Sequence, residues 1–333
     1  MPLFAGHLLT RRAVREGWVD VAGGVIQACG WGEPERTPDV QGWILPSPVN
    51  AHTHIADAYL RNIPGKPHTV KELFGPGGWK HTHLADAPPD QQRAAAERYV
   101  QEMANVGTAA FLDFREGGLP GIRWLRDLDL AVTPRIYGRG TGGFDEDEAA
   151  RVLAASDGVG LSGLRDLRPS ELDVWADACH DARKPLAIHV SEDQRDDIEH
   201  ALSLEPSFVV HMTCGKVADF DALADARVPI VVCPRSNRHF GRRPPMGLML
   251  ESGCKVALGT DNGMLQDGDL WAEARTLADR VPQDDLLRAA TFHGRDLAGL
   301  ADPELRRGAE ADLVVLPSDI LNEKATKPGF VVP

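Results

Sequence analysis

A chain of 333 residues of which 43% are hydrophobic can bury a large core, which excludes an intrinsically disordered protein. Its formal net charge of -13 and pI near 5.4 argue against nucleic acid and anionic membranes as partners, because their phosphates are met by basic patches, and leave a small-molecule substrate as the expected ligand. Five cysteines (Cys29, Cys179, Cys214, Cys233 and Cys254) are odd in number and far apart with no CxxC pair, so neither a disulfide framework nor a thiolate zinc site is indicated, and a cytoplasmic location fits.

The opening MPLFAGHLLTRRAV has no basic stretch ahead of its short apolar run, and no window reaches the ~20 apolar residues that span a bilayer, so the chain reads as soluble and unprocessed. Residues 1–45 hold strand-like pieces such as WVDVAGGVIQACG. Eight short apolar runs follow: PVNAH, GTAAFLDF, LAVTPRIYG, GVGLSGL, PLAIHV, SFVVHM, VPIVVCP and CKVALGTD. Pro46 and Pro48 cannot donate to a ladder, so pairing in the first run is expected after Pro48. Amphipathic helical stretches such as DQQRAAAERYVQEMANV, DEDEAARVLAA and KVADFDALADA lie between most of the runs. Continuous apolar runs suit parallel strands covered on both faces, and eight strand–helix units predict an α/β fold, a (β/α)8 TIM-type barrel. ADLVVLPSD is again strand-like, and the tail KATKPGFVVP is expected to be loose. The expected organisation is a barrel over residues 46–304, with residues 1–45 and 305–333 combining into a small flanking β-sandwich.

Active sites of parallel barrels lie where the strands end, so the residues closing each run are informative. His52 and His54 close the first run, His189 the fifth, His211 the sixth and Asp261 the eighth. Residues i and i+2 of a strand share a face, so His52 and His54 can lean on one ion. His81 and His83 repeat that spacing, but they follow the glycine-rich GPGGW with no apolar run before them, and are expected as loop structure or rim contacts. Taken singly, His189 and His211 read equally as core histidines and Asp261 as a helix N-cap. Their shared position at strand ends favours a divalent ion held by three neutral imidazoles and a carboxylate, with one position open to water.

Glu192 lies three residues past His189 and could reach the mouth; alternatively Ser191 and Gln194 form a capping box with Glu192 in a helix's first turn. Arg115, Arg139 and Arg165 follow neighbouring runs and either meet an anionic group on the substrate or pair with Asp113, Glu116 and Asp166. Ser236 and Asn237 in CPRSN are candidate substrate contacts at the rim, or ordinary turn residues. Trp271 and Glu273 read as helix residues facing the barrel. GRGTGG (Gly138 to Gly143) satisfies GxGxxG, but the acidic run Asp145, Glu146, Asp147 and Glu148 would repel a pyrophosphate, which excludes a nicotinamide enzyme. No GxSxG elbow or Walker A sequence is present.

With these motifs in place the chain resembles the amidohydrolase superfamily and, within it, the cytosine deaminase and atrazine-type chlorohydrolase branch. ILPSPVNAHTH is similar to the family's opening motif, HVSE to its HxxE, CPRSN to its CPxSN, ALGTD to its GTD, and AATFHGRDLAGL and GAEADLVVL to its closing segments. The resemblance implies that His52, His54, His189 and Asp261 bind one divalent metal ion, Zn2+ first and Fe2+ as the alternative. It implies Glu192 as proton shuttle and His211 as a contact to substrate or attacking water. Ser47 stands where the family commonly has glycine, and no lysine closes the fourth run, where binuclear relatives carry a carboxylated one, so a mononuclear site is implied. The implied reaction is hydrolytic deamination of an amino-substituted heterocycle, a purine, pyrimidine or related ring. The ion would lower the pKa of its water from ~15.7 toward ~7, and the hydroxide would attack the ring carbon. Asp261 would take the water's proton, Glu192 would protonate the neighbouring ring nitrogen, and ammonia would leave. The alternatives are a ring-opening or amide C–N hydrolase of the imidazolonepropionase kind, and a catalytically silent binding member. A complete ligand set favours the enzyme; a homodimer is a possible assembly.

Overall fold

The structure, a computed structural model, describes residues 2–75, 77–141, 146–322 and 330–331. Its strands in chain order are β1 (Leu3–Leu9), β2 (Val14–Ala22), β3 (Val25–Trp31), β4 (Val40–Pro46), β5 (Val49–His54), β6 (Ala110–Arg115), β7 (Thr133–Gly138), β8 (Gly158–Leu161), β9 (Leu186–Val190), β10 (Phe208–His211), β11 (Ile230–Val232), β12 (Val256–Leu258), β13 (Asp261–Asn262), β14 (Leu313–Leu316) and β15 (Phe330–Val331).

The nine strands β5 to β13 form one sheet in the order β12-β11-β10-β9-β8-β7-β6-β5-β13, and its pairings are parallel. The eighth apolar run is divided into β12 and β13 by Gly259 and Thr260. β12 stands at one end of the order while β13, three residues on, pairs with β5 at the other end (Asp261 with Thr53, Asn262 with His54). The sheet is thus curled and barrel-like. Alternate side chains of each strand point to opposite faces, and they segregate into two cores. Ala187, Val210, Val231 and Ala257 pack with Phe114, Tyr137 and Phe208 in one. Ile188, Val209, Ile230, Val232 and Val256 belong to the other, with the helix residues Tyr99, Leu223 and Trp271. Burial on both faces is why these strands read as unbroken apolar runs.

Helices follow most strands. The helix Pro89–Asn105 begins with proline in its first turn, where a missing N–H costs nothing, and buries Ala95, Ala96, Tyr99, Val100 and Met103 at helical spacing. Between β5 and this helix the chain makes a 3-10 turn (Ile55–Leu60) and two short helices, Val70–Phe74 and Trp79–Ala85. This connection has a small core of its own around Leu60, Leu73 and Met264, with Phe74, Trp79 and Phe240 packed against it.

The other six strands make a separate sheet in the order β15-β14-β4-β1-β2-β3, antiparallel except for β1 beside β4. Both chain ends therefore meet, but in one hydrogen-bonded sheet among the described residues, where the sequence suggested a sandwich. β14 adds to the free edge of β4 instead of facing it. Phe4, Val19, Ile26, Ile44 and Leu313 share one core, while Leu9, Trp43, Leu45, Val314 and Leu316 join the core of the curled sheet. Of the tail expected to be loose, Phe330 and Val331 pair with β14; the rest, like Gly142 and Gly143 of GRGTGG, lies outside the described residues. No helix among the described residues is long and apolar enough to cross a membrane.

Candidate functional site

β5 carries His52 and His54 to the mouth, and β13 sets Asp261 beside them. The Nε2 atoms of His52 and His54 lie 3.2 and 3.7 Å from Asp261 Oδ1. The His52 ring centroid is 4.9 Å from those of His54 and His189 and 5.8 Å from that of His211. Candidate ligand atoms of His52, His54 and Asp261 fall within 4.8 Å of one another, as do those of His52, His189 and His211, and those of Glu192, His211 and Asp261. These six side chains, from the ends of β5, β9, β10 and β13 or the loops after them, thus share one centre. His211 and Asp261 both have left-handed backbones, with φ of 79° and 60°, which turn the chain sharply at the strand end. Such conformations cost on the order of 1–3 kcal/mol and persist where the surroundings fix them.

The donor set fits a divalent ion. Both ring nitrogens of His52 are buried with no hydrogen-bond partner among the described residues, since its contact with Asp261 is not aligned as a hydrogen bond, and a polar group so orphaned is costly unless something binds it. His189 Nδ1 lies 2.7 Å from the Leu161 carbonyl; donation there fixes the tautomer that leaves Nε2 free. Ser236 Oγ donates to Asp261 Oδ2, and Asn237 Nδ2 lies 3.3 Å from His211 Nδ1. Burial, followed by the neighbouring imidazoles, pushes His54 and His189 well below the usual histidine range, and burial takes His211 down to about 4. Burial alone would raise Asp261, but His52 and Ser236 hold its carboxyl below the usual range. Neutral imidazoles beside an ionised carboxylate are the protonation states a divalent ion requires.

Glu192 has the opposite surroundings. Burial first, then the charge of Asp261, raises its carboxyl well above the usual range, and its Oε1 lies 3.7 Å from His211 Nε2. The capping box read for Ser191 and Gln194 does not form. The next helix starts at Ile198 with Asp197 as its cap, while Ser191 and Asp196 exchange hydrogen bonds of 2.6 and 2.9 Å.

These groups open onto a cavity of about 740 Å³ whose wall includes His54, His189, His211, Asp261 and Glu192. Arg139 and Arg165 line it too, but Arg115 does not: its Nε donates to the Glu116 carbonyl and its guanidinium stacks 5.2 Å over Trp124. Arg139 pairs with Glu116, and Arg165 with Asp196 at 3.1 Å instead of Asp166. Asp113 is held by Thr53 Oγ1 and the Ile55 N–H. Ser236 and Asn237 are not at the rim as expected; the helix Pro234–His239 follows β11 at once and turns both inward, behind Asp261 and His211. His81 and His83 stand on the helix Trp79–Ala85, not in a loop, and belong to none of the ligand groups among the described residues, but His81 does line the cavity, the other half of the expectation. Trp271 donates to the Val106 carbonyl, and Glu273 accepts from Arg235 N and Nε, both deep in the core.

Sequence reasoning missed a second polar cluster on the cavity wall. Lys80 Nζ is 2.7 Å from Asp57 Oδ2 and 2.9 Å from Glu116 Oε1, and Asn262 Nδ2 donates to Asp57 at 2.7 Å. Lys80 lies in a stretch without periodicity, and its partners are remote in sequence, so no local signal marked it.

A family model described as Amidohydrolase family matches residues 43–331. A putative aminohydrolase of Archaeoglobus fulgidus is 33% identical over 295 residues, covering 87% of this chain and 84% of that protein. A 5-methylthioadenosine/S-adenosylhomocysteine deaminase of Haloquadratum walsbyi is 28% identical over 331 residues, covering 85% and 73%. Among solved structures, an adenosine deaminase from Xanthomonas campestris with bound zinc matches with a TM-score of 0.71 at 19% identity, covering 99% of this chain and 87% of that one. At that identity the likeness bears on the fold.

Proposed function

The chain belongs to the amidohydrolase family, and from that premise we propose that the cavity above His52 is the site of a metal-dependent hydrolytic deamination. The protein is a hydrolase of carbon–nitrogen bonds other than peptide bonds, a deaminase of amino-substituted heterocycles. Its sheet is read as a closed (β/α)8 barrel, with β12 and β13 as one interrupted strand, spanning residues 46–304 and flanked by a domain of both chain ends. The protein is read as cytoplasmic.

His52, His54, His189 and Asp261 would hold the ion, zinc first and iron second. When bound, it supplies the Lewis acidity that makes water a nucleophile at neutral pH. Asp261, oriented by Ser236, receives the attacking water's proton. Glu192, whose pKa burial and Asp261 raise, delivers a proton to the ring nitrogen beside the reacting carbon. His211, held by Asn237, contacts the attacking water or the substrate. Asp261 then passes its proton to the amino group, which leaves as ammonia while the hydroxyl on the ring carbon returns a proton to Glu192. Among the arginines, Arg139 and Arg165 remain candidates for the far end of the substrate, and Arg115 does not.

The observation that carries this reading is the gathering of the His52, His54, His189, His211 and Asp261 ligand atoms with the Glu192 carboxyl beside them. The test is metal analysis of the purified protein joined to an ammonia-release screen over amino-heterocycles, beginning with 5-methylthioadenosine, S-adenosylhomocysteine, adenosine and guanine. About one equivalent of metal and free ammonia are expected. A ring-opened product without ammonia would move the assignment to a cyclic amide hydrolase; absence of both metal and turnover would leave a binding protein.

A further inference from the structure

The cluster around Lys80 has no part in the proton transfers above, yet it faces the same cavity. Lys80 reaches the wall from the helix Trp79–Ala85 and bridges the residues that follow β5 and β6. Glu192 and His211 belong to the ends of β9 and β10, three or more strands further round the curled sheet. A ring presenting its reacting edge to Glu192 would, on this placement, turn another edge toward Lys80.

The lysine side chain is only 4% exposed, and burying an ammonium is expensive unless its protons are met. Asp57 and Glu116 take two of its three N–H groups and fix it in place. No third acceptor lies on Nζ among the described residues. Nζ also lies 5.9 Å from the ring centroid of Phe74, which lines the cavity as well. The arrangement is a donor held in a fixed position with one proton to spare at a binding surface.

We propose that Lys80 is a specificity-determining residue that touches the substrate, its free N–H donating to a ring-nitrogen acceptor on the edge turned away from Glu192. This rests on the deaminase reading. The competing role is structural, a clamp that ties the connection after β5 to the ends of β5 and β6.

The two roles separate in a cycle between Lys80 and the acceptor itself. In the metal-loaded full-length protein, kcat/KM is measured for adenosine, 3-deazaadenosine and 7-deazaadenosine, each deaza compound replacing one ring nitrogen by C–H. If another heterocycle proves the better substrate, its own deaza analogues take their place. Lys80→Met is expected to lower kcat/KM on the parent ring by roughly 10- to 100-fold, the size of a lost charge-assisted hydrogen bond. On the one analogue lacking the acceptor, the same change is expected to cost less than about threefold, because wild type has already lost that bond. Lys80→Gln, neutral but still able to donate to Glu116, is carried in parallel in case methionine leaves the two carboxylates too poorly paired to fold. An equal loss on every ring, or failure of both variants to fold, marks a structural lysine and overturns the proposal. A wild type releasing no ammonia from any ring overturns the deaminase reading and this one with it; an active wild type with undiscriminating variants overturns only this one.

Discussion

Glu192 and Asp261 are carboxylates of one cavity pushed in opposite directions, Glu192 up by burial and by its neighbour, Asp261 down by His52 and Ser236 against the effect of burial. On the proposed mechanism that division gives one site a proton donor beside an anionic ligand. Glu192→Gln keeps the shape and removes the transferable proton. The expected result is a fall in kcat of roughly 10²- to 10⁴-fold with metal content unchanged; turnover within a few-fold of wild type would end Glu192's role. Asp113 offers a test by pH. Burial raises it from 3.8 to about 6 even though it accepts from Thr53 and Ile55. A carboxyl whose folded pKa is raised adds stability that is complete below the unfolded value and lost as pH rises through about 6. Wild type should therefore gain on Asp113→Asn by about 1 kcal/mol when pH drops from ~7 to ~5, read by urea unfolding at both pH values. His52, His54, His189, His211 and Asp261 were legible because each closes an apolar run. Ser236 and Lys80 act across sequence separations of 25 and 36 residues, on Asp261 and Glu116, and a local pattern carries no trace of such contacts.

The eight apolar runs that supply the nine strands of the curled sheet were legible for the same reason that the strands are stable, namely burial on both faces. What local pattern did not carry was the irregular backbone between elements. Ser191 and Gln194 have the spacing of a capping box, but Ser191 has φ of 54°, whereas an N-cap takes an extended conformation, and its N–H is already committed to Asp196. The break between β12 and β13 was equally hidden, although it is where the sheet meets β5. A Cβ on Gly259 would stand 2.8 Å from His52 Cβ and 2.9 Å from its backbone N and O. Thr260 is pinned alongside, its N–H to Asn50 Oδ1 at 3.0 Å and its hydroxyl to Asn50 Nδ2 and Tyr99. Gly259→Ala should force β12 off β5, costing on the order of 1–3 kcal/mol in urea unfolding and weakening metal retention together. An unfolding midpoint equal to wild type would show that the seam tolerates the separation.

At the scale of the whole molecule the proposed ligand set and the proposed closure of the sheet are the same problem. β13 contributes only two residues to its pairing with β5, as few as any junction in the order, yet His52 and His54 lie on one side of it and Asp261 on the other. His189 stands further round on β9. An ion held by these four side chains joins β5, β9 and β13, and so ties the seam to the far wall while quenching the mutual repulsion of any charge placed among three imidazoles. Binding to the folded state alone stabilises it by about 2.7 kcal/mol at a hundredfold excess of ion over the dissociation constant. Removing the metal with a chelator should thus lower the melting temperature on the order of 5 °C and abolish turnover, both restored by adding zinc. The loss should also be local. Amide exchange is expected to quicken in β5, β12 and β13, while β1, β2 and β4, whose core of Phe4, Val19 and Ile44 contains none of the ligands, should keep their protection. Equal quickening in both sheets would mean that the ion supports the fold as a whole and that the seam is not what it closes.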